Sequence, residues 1–296
     1  MTTKVQVQTP ALFDFDQCLF FLDRGYDECL FQLEERKVHR AITYGDELLP
    51  FTVTDEENGL VIEMSNDLPD DQVKFVKDYV REWFDLDRDI EPFYDLLTSI
   101  ESLNDLKNAY EGLRLIGIPD LFEAMCWSII GQQINLTFAF KLKRKLVEIY
   151  GKSIQWNSQT LYHFPTPESL IKLDEDVLRA NQFSRGKIQY LKNVASAFLE
   201  NGLDKRSIAA IPDFESRQKK LIEIKGIGVW SANYALMKTL HQPEAIPFGD
   251  TGLTQALFNH KIIEDRKDEA AIKQFFKSVK GWEAYTVFYL WRSLAG

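Results

Sequence analysis

The hydrophobic pattern changes period about a third of the way along the chain. In the first hundred residues, "HRAITYG" and "LLPFTVTDEENGLVIEMS" alternate β-branched and polar positions, the period of half-buried strands. Asn58-Gly59 between two such runs is a hairpin signal. "DDQVKFVKDYVREWF" (70–84) follows, with Val73, Val76, Val80 and Trp83 at helical spacing behind an Asp70-Asp71 cap. From about residue 95 strand signals fade. Helical periodicity covers 121–150, with a break near Gly131-Gln132-Gln133. "TPESLIKLDEDVLRAN" opens with Thr-Pro and a capping glutamate, and "SRGKIQYLKNVASAFLENG" runs from Ser184 to Gly202. "DFESRQKKLIEI", "VWSANYALMKTL", "TGLTQALFNHK", "DEAAIKQFFKSV" and "EAYTVFYLWRSL" complete a series of short helices. The expected fold is mainly α: an N-terminal α+β domain with an antiparallel sheet over residues 1–104, then an all-helical body over 105–296.

Composition narrows the class. No apolar run approaches the roughly 20 residues of a membrane span, and "MTTKVQVQTP" lacks the apolar core of a secretory signal. Three cysteines (Cys18, Cys29, Cys126) and four histidines are scattered singly, so neither a disulfide framework nor a metal or iron–sulfur site is expected. The cytoplasm is the expected compartment. The net charge of −10 hides an asymmetry: residues 1–104 carry 9 Lys+Arg against 24 Asp+Glu, and 105–296 carry 26 against 21. The C-terminal part could turn a basic face to a polyanion; two solvated surfaces of different character explain the charges equally well.

The chemistry concentrates in "LIEIKGIGVWSANYALMKTL" (221–240). Gly226 and Gly228 between two apolar helical stretches read as a tight turn, where glycine supplies positive φ and lets another backbone approach closely. Amides at the start of the second helix would then form a phosphate site. A bare G-x-G also fits a plain helix corner.

The wider pattern is more specific. "L-x-x-I-K-G-I-G-x-W-[ST]-A", followed by Asp250 in "IPFGDTGL", resembles the helix–hairpin–helix plus aspartate signature of a DNA glycosylase superfamily. "IPDLFEAMCWSIIGQQINLTFAFKLKRKLVEIYG" (118–151), "FPTPESL", "FSRGKIQYLKNVA" and "GWEAYTVFYLWR" appear in the order of DNA-3-methyladenine glycosylase II, the bacterial alkylpurine glycosylases. "ALFDFDQCLFFL" is similar, more loosely, to that family's small sheet domain. The resemblance covers nearly the whole chain. It implies a helix–hairpin–helix glycosylase body, base-excision repair of damaged double-stranded DNA at the bacterial nucleoid, a monomer, and neither cofactor nor membrane partner.

It also implies site residues. Asp250 would be the carboxylate set against the sugar of the target nucleotide. Its position also suits an N-cap, and the two roles are compatible, because a helix N-terminus favours negative charge. Superfamily members that nick the strand carry a nucleophilic lysine where this chain has Trp230, and no lysine of the motif is nearer than Lys225; a hydrolytic, monofunctional enzyme follows. Trp230 and Tyr234, four apart on one helix face, and Trp282, matched to a pocket tryptophan of the family, would stack on a cationic alkylated purine, though Tyr234 also suits a core. Trp127, Trp156 and Trp291 are assigned to core or surface.

The target nucleotide must be flipped from the duplex, and Gln133 or Ile134 is a candidate wedge; a helix-breaking surface turn accounts for them too. Gly226, Ile227, Gly228, Ser231, Ser184 and Lys187 are candidate backbone contacts, with an ordinary N-cap as the alternative for the last two. Lys141, Lys143, Arg144 and Lys145 read as a solvated face. The rival functions are removal of an oxidised purine such as 8-oxoguanine, and a DNA-binding module without catalysis.

Overall fold

The computed structural model describes residues 2–65 and 68–295. Strands β1 (Thr2–Val7), β2 (Phe31–Glu34), β3 (Lys37–Tyr44), β4 (Glu47–Glu56) and β5 (Gly59–Ser65) form an antiparallel sheet in the order β1-β5-β4-β3-β2. Helix α1 (Phe15–Leu22), capped by Asp14, intervenes between β1 and β2, so most of "ALFDFDQCLFFL" is helix beside the sheet. The β4–β5 hairpin turns one residue earlier than Asn58-Gly59 suggests, because Glu56 pairs with Gly59. Gly59 is needed for a different reason: its φ is +118°, and a Cβ there would meet the Val7 carbonyl at 2.5 Å.

Alternate residues of β3 serve opposite faces, as the pleat dictates. Arg40 lies under the rings of Tyr79 and Trp83, on α2 (Asp70–Trp83). His39 and Thr43 face the other way, toward Thr52 and His163. Asp70 and Asp71 occupy the first turn of α2, where they complement the helix dipole, while the N-cap position falls to Pro69.

Helices α3 (Glu91–Ser99) and α4 (Asn104–Ala109) lead to α5 (Leu121–Gly131), which is buried along almost its whole length. The later elements are α6 (Leu136–Tyr150), β6 (Lys152–Trp156), β7 (Gln159–His163), α7 (Pro167–Leu170), α8 (Glu175–Ala180), α9 (Arg185–Glu200) and α10 (Lys205–Ala209). Then come α11 (Phe214–Ile222), α12 (Val229–Leu240), α13 (Thr251–Asn259), α14 (Glu269–Ser278) and α15 (Glu283–Arg292).

Two expectations fail here. The body is not all-helical: β6 and β7 form a hairpin whose turn, Asn157-Ser158, has φ of +46° and +65°, the left-handed pair that short hairpins prefer. Its Trp156 indole donates to Thr52 on the N-terminal sheet at 2.9 Å. Residues 166–181 are also two helices, because Asp174 caps α8 in mid-segment, accepting from the amides of Asp176 and Val177.

One hydrophobic core runs from Val7 to Leu290 without a break at residue 104. A polar clasp reinforces it: Tyr285 donates its hydroxyl to Asp85 at 2.5 Å, and Arg114 donates to the Asp85 carbonyl.

Candidate active site

Asp250 caps α13, its Oδ1 accepting from the Leu253 amide at 2.7 Å. Two tryptophan indoles also point at the carboxylate: Trp291 donates to Oδ1 at 2.9 Å and Trp230 to Oδ2 at 3.3 Å. Three donors on one carboxylate fix its orientation. Gly252 leaves the space, since a Cβ there would stand 3.1 Å from Asp250 Oδ1.

The carboxylate opens onto a cleft of about 1390 Å³ that also exposes Arg24, Trp127, Gln133, Trp230, Tyr234 and Trp291. Trp230 and Tyr234 stack with centroids 5.5 Å apart and an interplanar angle of 20°. Trp291 flanks Tyr234 at 6.2 Å. Opposite, Tyr26 stacks on Phe140 at 4.9 Å, and Trp127 tilts against Phe140 at 4.7 Å. Burial pushes the Tyr234 phenol well above its ordinary pKa. Trp282 is not part of this wall. It precedes α15 and packs on Phe93 at 5.5 Å and Tyr285 at 5.7 Å, in the core under α3. Trp291, at the other end of that helix, takes the place beside the carboxylate.

The hairpin is the α11–α12 turn. Gly226 has φ of +108°, and a Cβ would stand 2.3 Å from the Tyr190 ring. Gly228 differs: its backbone is extended (φ −94°, ψ −179°), it faces open space, and α12 begins after it with no side-chain cap. Backbone amides of this first turn are therefore presented without a protein side chain over them. Ile227 is buried. Ser231 is also buried, and its hydroxyl accepts from Gln132 Nε2 at 3.1 Å.

That bond belongs to a brace. Gln132 Nε2 also donates to the Gly226 carbonyl at 3.0 Å, tying the α5–α6 turn to the hairpin. Gln133, next along, has φ of +59° and is exposed at the tip, whereas Ile134 is half-buried against the core. Lys187 supports the same turn from below: its Nζ donates to the carbonyls of Ile130 and, at 2.9 Å, Gln132. Burial lowers its pKa to about 8. Ser184 caps α9 by accepting from the Lys187 amide at 3.2 Å. Ser184, Lys187 and Ser231 thus each have an intramolecular partner; Ser231 is buried and Lys187 half-buried, whereas Ser184 is exposed at the start of α9.

The basic run on α6 is not uniformly solvated. Lys143 is buried, its Nζ 2.9 Å from Glu28 Oε2 and 3.9 Å from Glu123, while Arg144 meets Asp27 at 2.6 Å. Lys143 and Glu28, with the Arg40–Glu123 pair at 3.0 Å, line the cleft. Among the described residues no group of three or more His, Cys, Asp or Glu could hold a metal ion, and no helix is long and apolar enough to cross a membrane.

A carboxylate fixed at a helix start, an aromatic cleft and an uncapped glycine hairpin form an arrangement chemically able to meet a polyanion and to stabilise positive charge. Residues 126–281 match the HhH-GPD superfamily base excision DNA repair proteins, and residues 25–125 match the N-terminal domain of 8-oxoguanine DNA glycosylase. The chain is 35% identical over 295 residues to a DNA-3-methyladenine glycosylase of Bacillus subtilis, covering 98% of this chain and 97% of that one. It is 29% identical to DNA-3-methyladenine glycosylase 2 of Escherichia coli over 64% of each chain. The structure of the 3-methyladenine DNA glycosylase from Archaeoglobus fulgidus superposes with a TM-score of 0.81, covering 98% of this chain and 97% of that chain, at 23% identity. The chain belongs to the HhH-GPD superfamily of base excision DNA repair proteins, with the DNA-3-methyladenine glycosylases.

Proposed function

We propose that the protein is a monofunctional DNA glycosylase of the 3-methyladenine II type, hydrolysing the N-glycosidic bond of alkylated purines in duplex DNA. One observation carries the reading: the Asp250 carboxylate, held by one amide and two indoles at the mouth of an aromatic cleft. As the purine departs, the deoxyribose becomes positively charged. A preorganised anion beside it lowers that barrier without moving. Alkylation at ring nitrogen makes the base both a better leaving group and a cation, which suits the Trp230, Tyr234 and Trp291 rings.

Hydrolysis without strand cleavage is supported by Trp230 standing where lyases of the superfamily carry lysine. The cleft lysine on the same helix, Lys238, lies two turns further on and donates to the Ile116 carbonyl. Gln133 is the side chain best placed to enter the gap left by the flipped nucleotide. The Gly228 turn grips the phosphate backbone through its amides. In this reading the enzyme works as a monomer on nucleoid DNA in the cytoplasm, the part up to residue 104 serving as a scaffold for one cleft wall.

Asp250→Asn tests the proposal. It keeps the shape but removes the charge, and release of 3-methyladenine from methylated duplex should fall by 10²-fold or more with duplex affinity largely retained. Full activity in that variant refutes the assignment. Oligonucleotides bearing 8-oxoguanine, in the same assay, should yield no free base.

A further inference from the structure

Away from the carboxylate, the cleft holds two hydrogen-bond donors that the reaction above does not use. The first is Arg24, in the segment after α1. Its guanidinium carbon sits 4.3 Å over the Phe21 ring and 5.5 Å from the Tyr26 ring centre. Aromatic rings hold a guanidinium by its faces, which leaves the N–H edges available. Those edges meet no hydrogen-bond acceptor or ion-pair partner among the described residues, although the side chain is half-buried on the cleft wall.

The second donor is Tyr234. Its oxygen already accepts from Trp127 Nε1 at 3.0 Å, so its remaining role is to donate its own hydrogen. No acceptor receives that hydrogen among the described residues. Arg24 is close enough for its charge to act directly on this hydroxyl. Acceptors at this end are already occupied: Glu28 takes Lys143 and the amides of Cys29 and Leu30, and Glu123 takes Arg40. The inner cleft therefore offers donors.

We propose that Arg24, paired with Tyr234, is a specificity-determining residue that selects extruded bases presenting an exocyclic carbonyl oxygen, such as alkylated guanine, over those lacking one, such as alkylated adenine. The inference rests on the glycosylase reading and deepens it. A hydrogen bond from a charged donor contributes roughly 10–100-fold in discrimination. Both alkylated bases are cations and meet the same guanidinium charge, so the difference is the bond itself: adenine has no exocyclic carbonyl oxygen to accept it.

DNA treated with a methylating agent carries both 7-methylguanine and 3-methyladenine, so chromatography of the released bases tests both classes in one reaction. With Arg24→Ala, release of 7-methylguanine relative to 3-methyladenine should fall about tenfold or more against the unaltered enzyme, with 3-methyladenine release maintained or increased. Arg24→Gln keeps an N–H donor without charge and should recover part of the ratio; it decides the matter if the alanine variant does not fold by circular dichroism. An unchanged ratio overturns the proposal, and so does equal loss of both bases, which would assign Arg24 to a phosphate or to the scaffold. Failure of the unaltered enzyme to release either base overturns the glycosylase reading itself, and the proposal with it.

Discussion

Trp282 and Trp291 stand nine residues apart, about two and a half helical turns, so they face roughly opposite ways. From sequence both are tryptophans in one apolar helical segment, and periodicity gives each an equal claim to the cleft. Phe93 decides between them by packing on Trp282, a contact between segments almost two hundred residues apart that no local pattern encodes. The Asp250 cap was legible because its signal is local, glycine, aspartate, then a helical run, whereas its role at the sugar was implied by the family resemblance and stands as a proposal. Its indole partners were not legible, being brought together by folding. Trp291→Phe tests what that partnership does. It keeps an aromatic wall but removes one of three donors to the carboxylate, at about 1.5–3 kcal/mol for a bond to a charged group. The single-turnover rate of base release should fall about tenfold while duplex affinity holds. An unchanged rate would mean that the Leu253 amide and Trp230 suffice to orient Asp250.

At the scale of elements, sequence order predicted most helices of the body, since most of them, though neither α12 nor α15, have a side-chain cap beside their apolar stripe. The exceptions were places where a short signal was outvoted by a long one. Asn157-Ser158 is a hairpin turn inside what otherwise reads as helices, and Asp174 is a cap inside an apparently continuous helix. The glycine hairpin shows a further limit, for its two glycines do different work. Gly226 sits at φ +108° with the Tyr190 ring 2.3 Å from any Cβ, whereas Gly228 is extended and open. Gly226→Ala should therefore destabilise the fold by about 1–3 kcal/mol from backbone strain alone, more with the clash, measured by urea unfolding. A second substitution, Tyr190→Ala, should relieve only the steric part. Gly228→Ala should leave the urea midpoint nearly unchanged but weaken duplex binding, because its side chain would stand where a phosphate approaches. Equal behaviour of the two glycine variants would contradict the division of labour.

For the whole molecule, the cleft is a product of both ends of the chain, and Lys238 marks where they meet. It lies on α12, is buried, donates to the Ile116 carbonyl, and has Phe21 and Phe288 rings 5.2 and 5.0 Å from its ammonium. A charge there was invisible in "NYALMKTL", where the periodicity marks only an end-of-helix lysine. Burial, with the Arg24 charge adding to it, pushes its pKa down to about 7, from about 10.4 for a free lysine. Between those values the unfolded chain holds a proton that the native protein has lost. Stability therefore rises with pH across this window, and below pH 7 the full cost of the buried ammonium is already present. One proton contributes a slope of at most about 1.4 kcal/mol per pH unit. Lys238→Met should reduce that slope between pH 7 and 9 in urea unfolding at several pH values. Comparing the two proteins cancels what they share, including Lys187, which titrates in the same window. If the slopes coincide, the ammonium is better solvated than its surroundings indicate, and the junction between the first helix, the Ile116 segment and α15 must open to water.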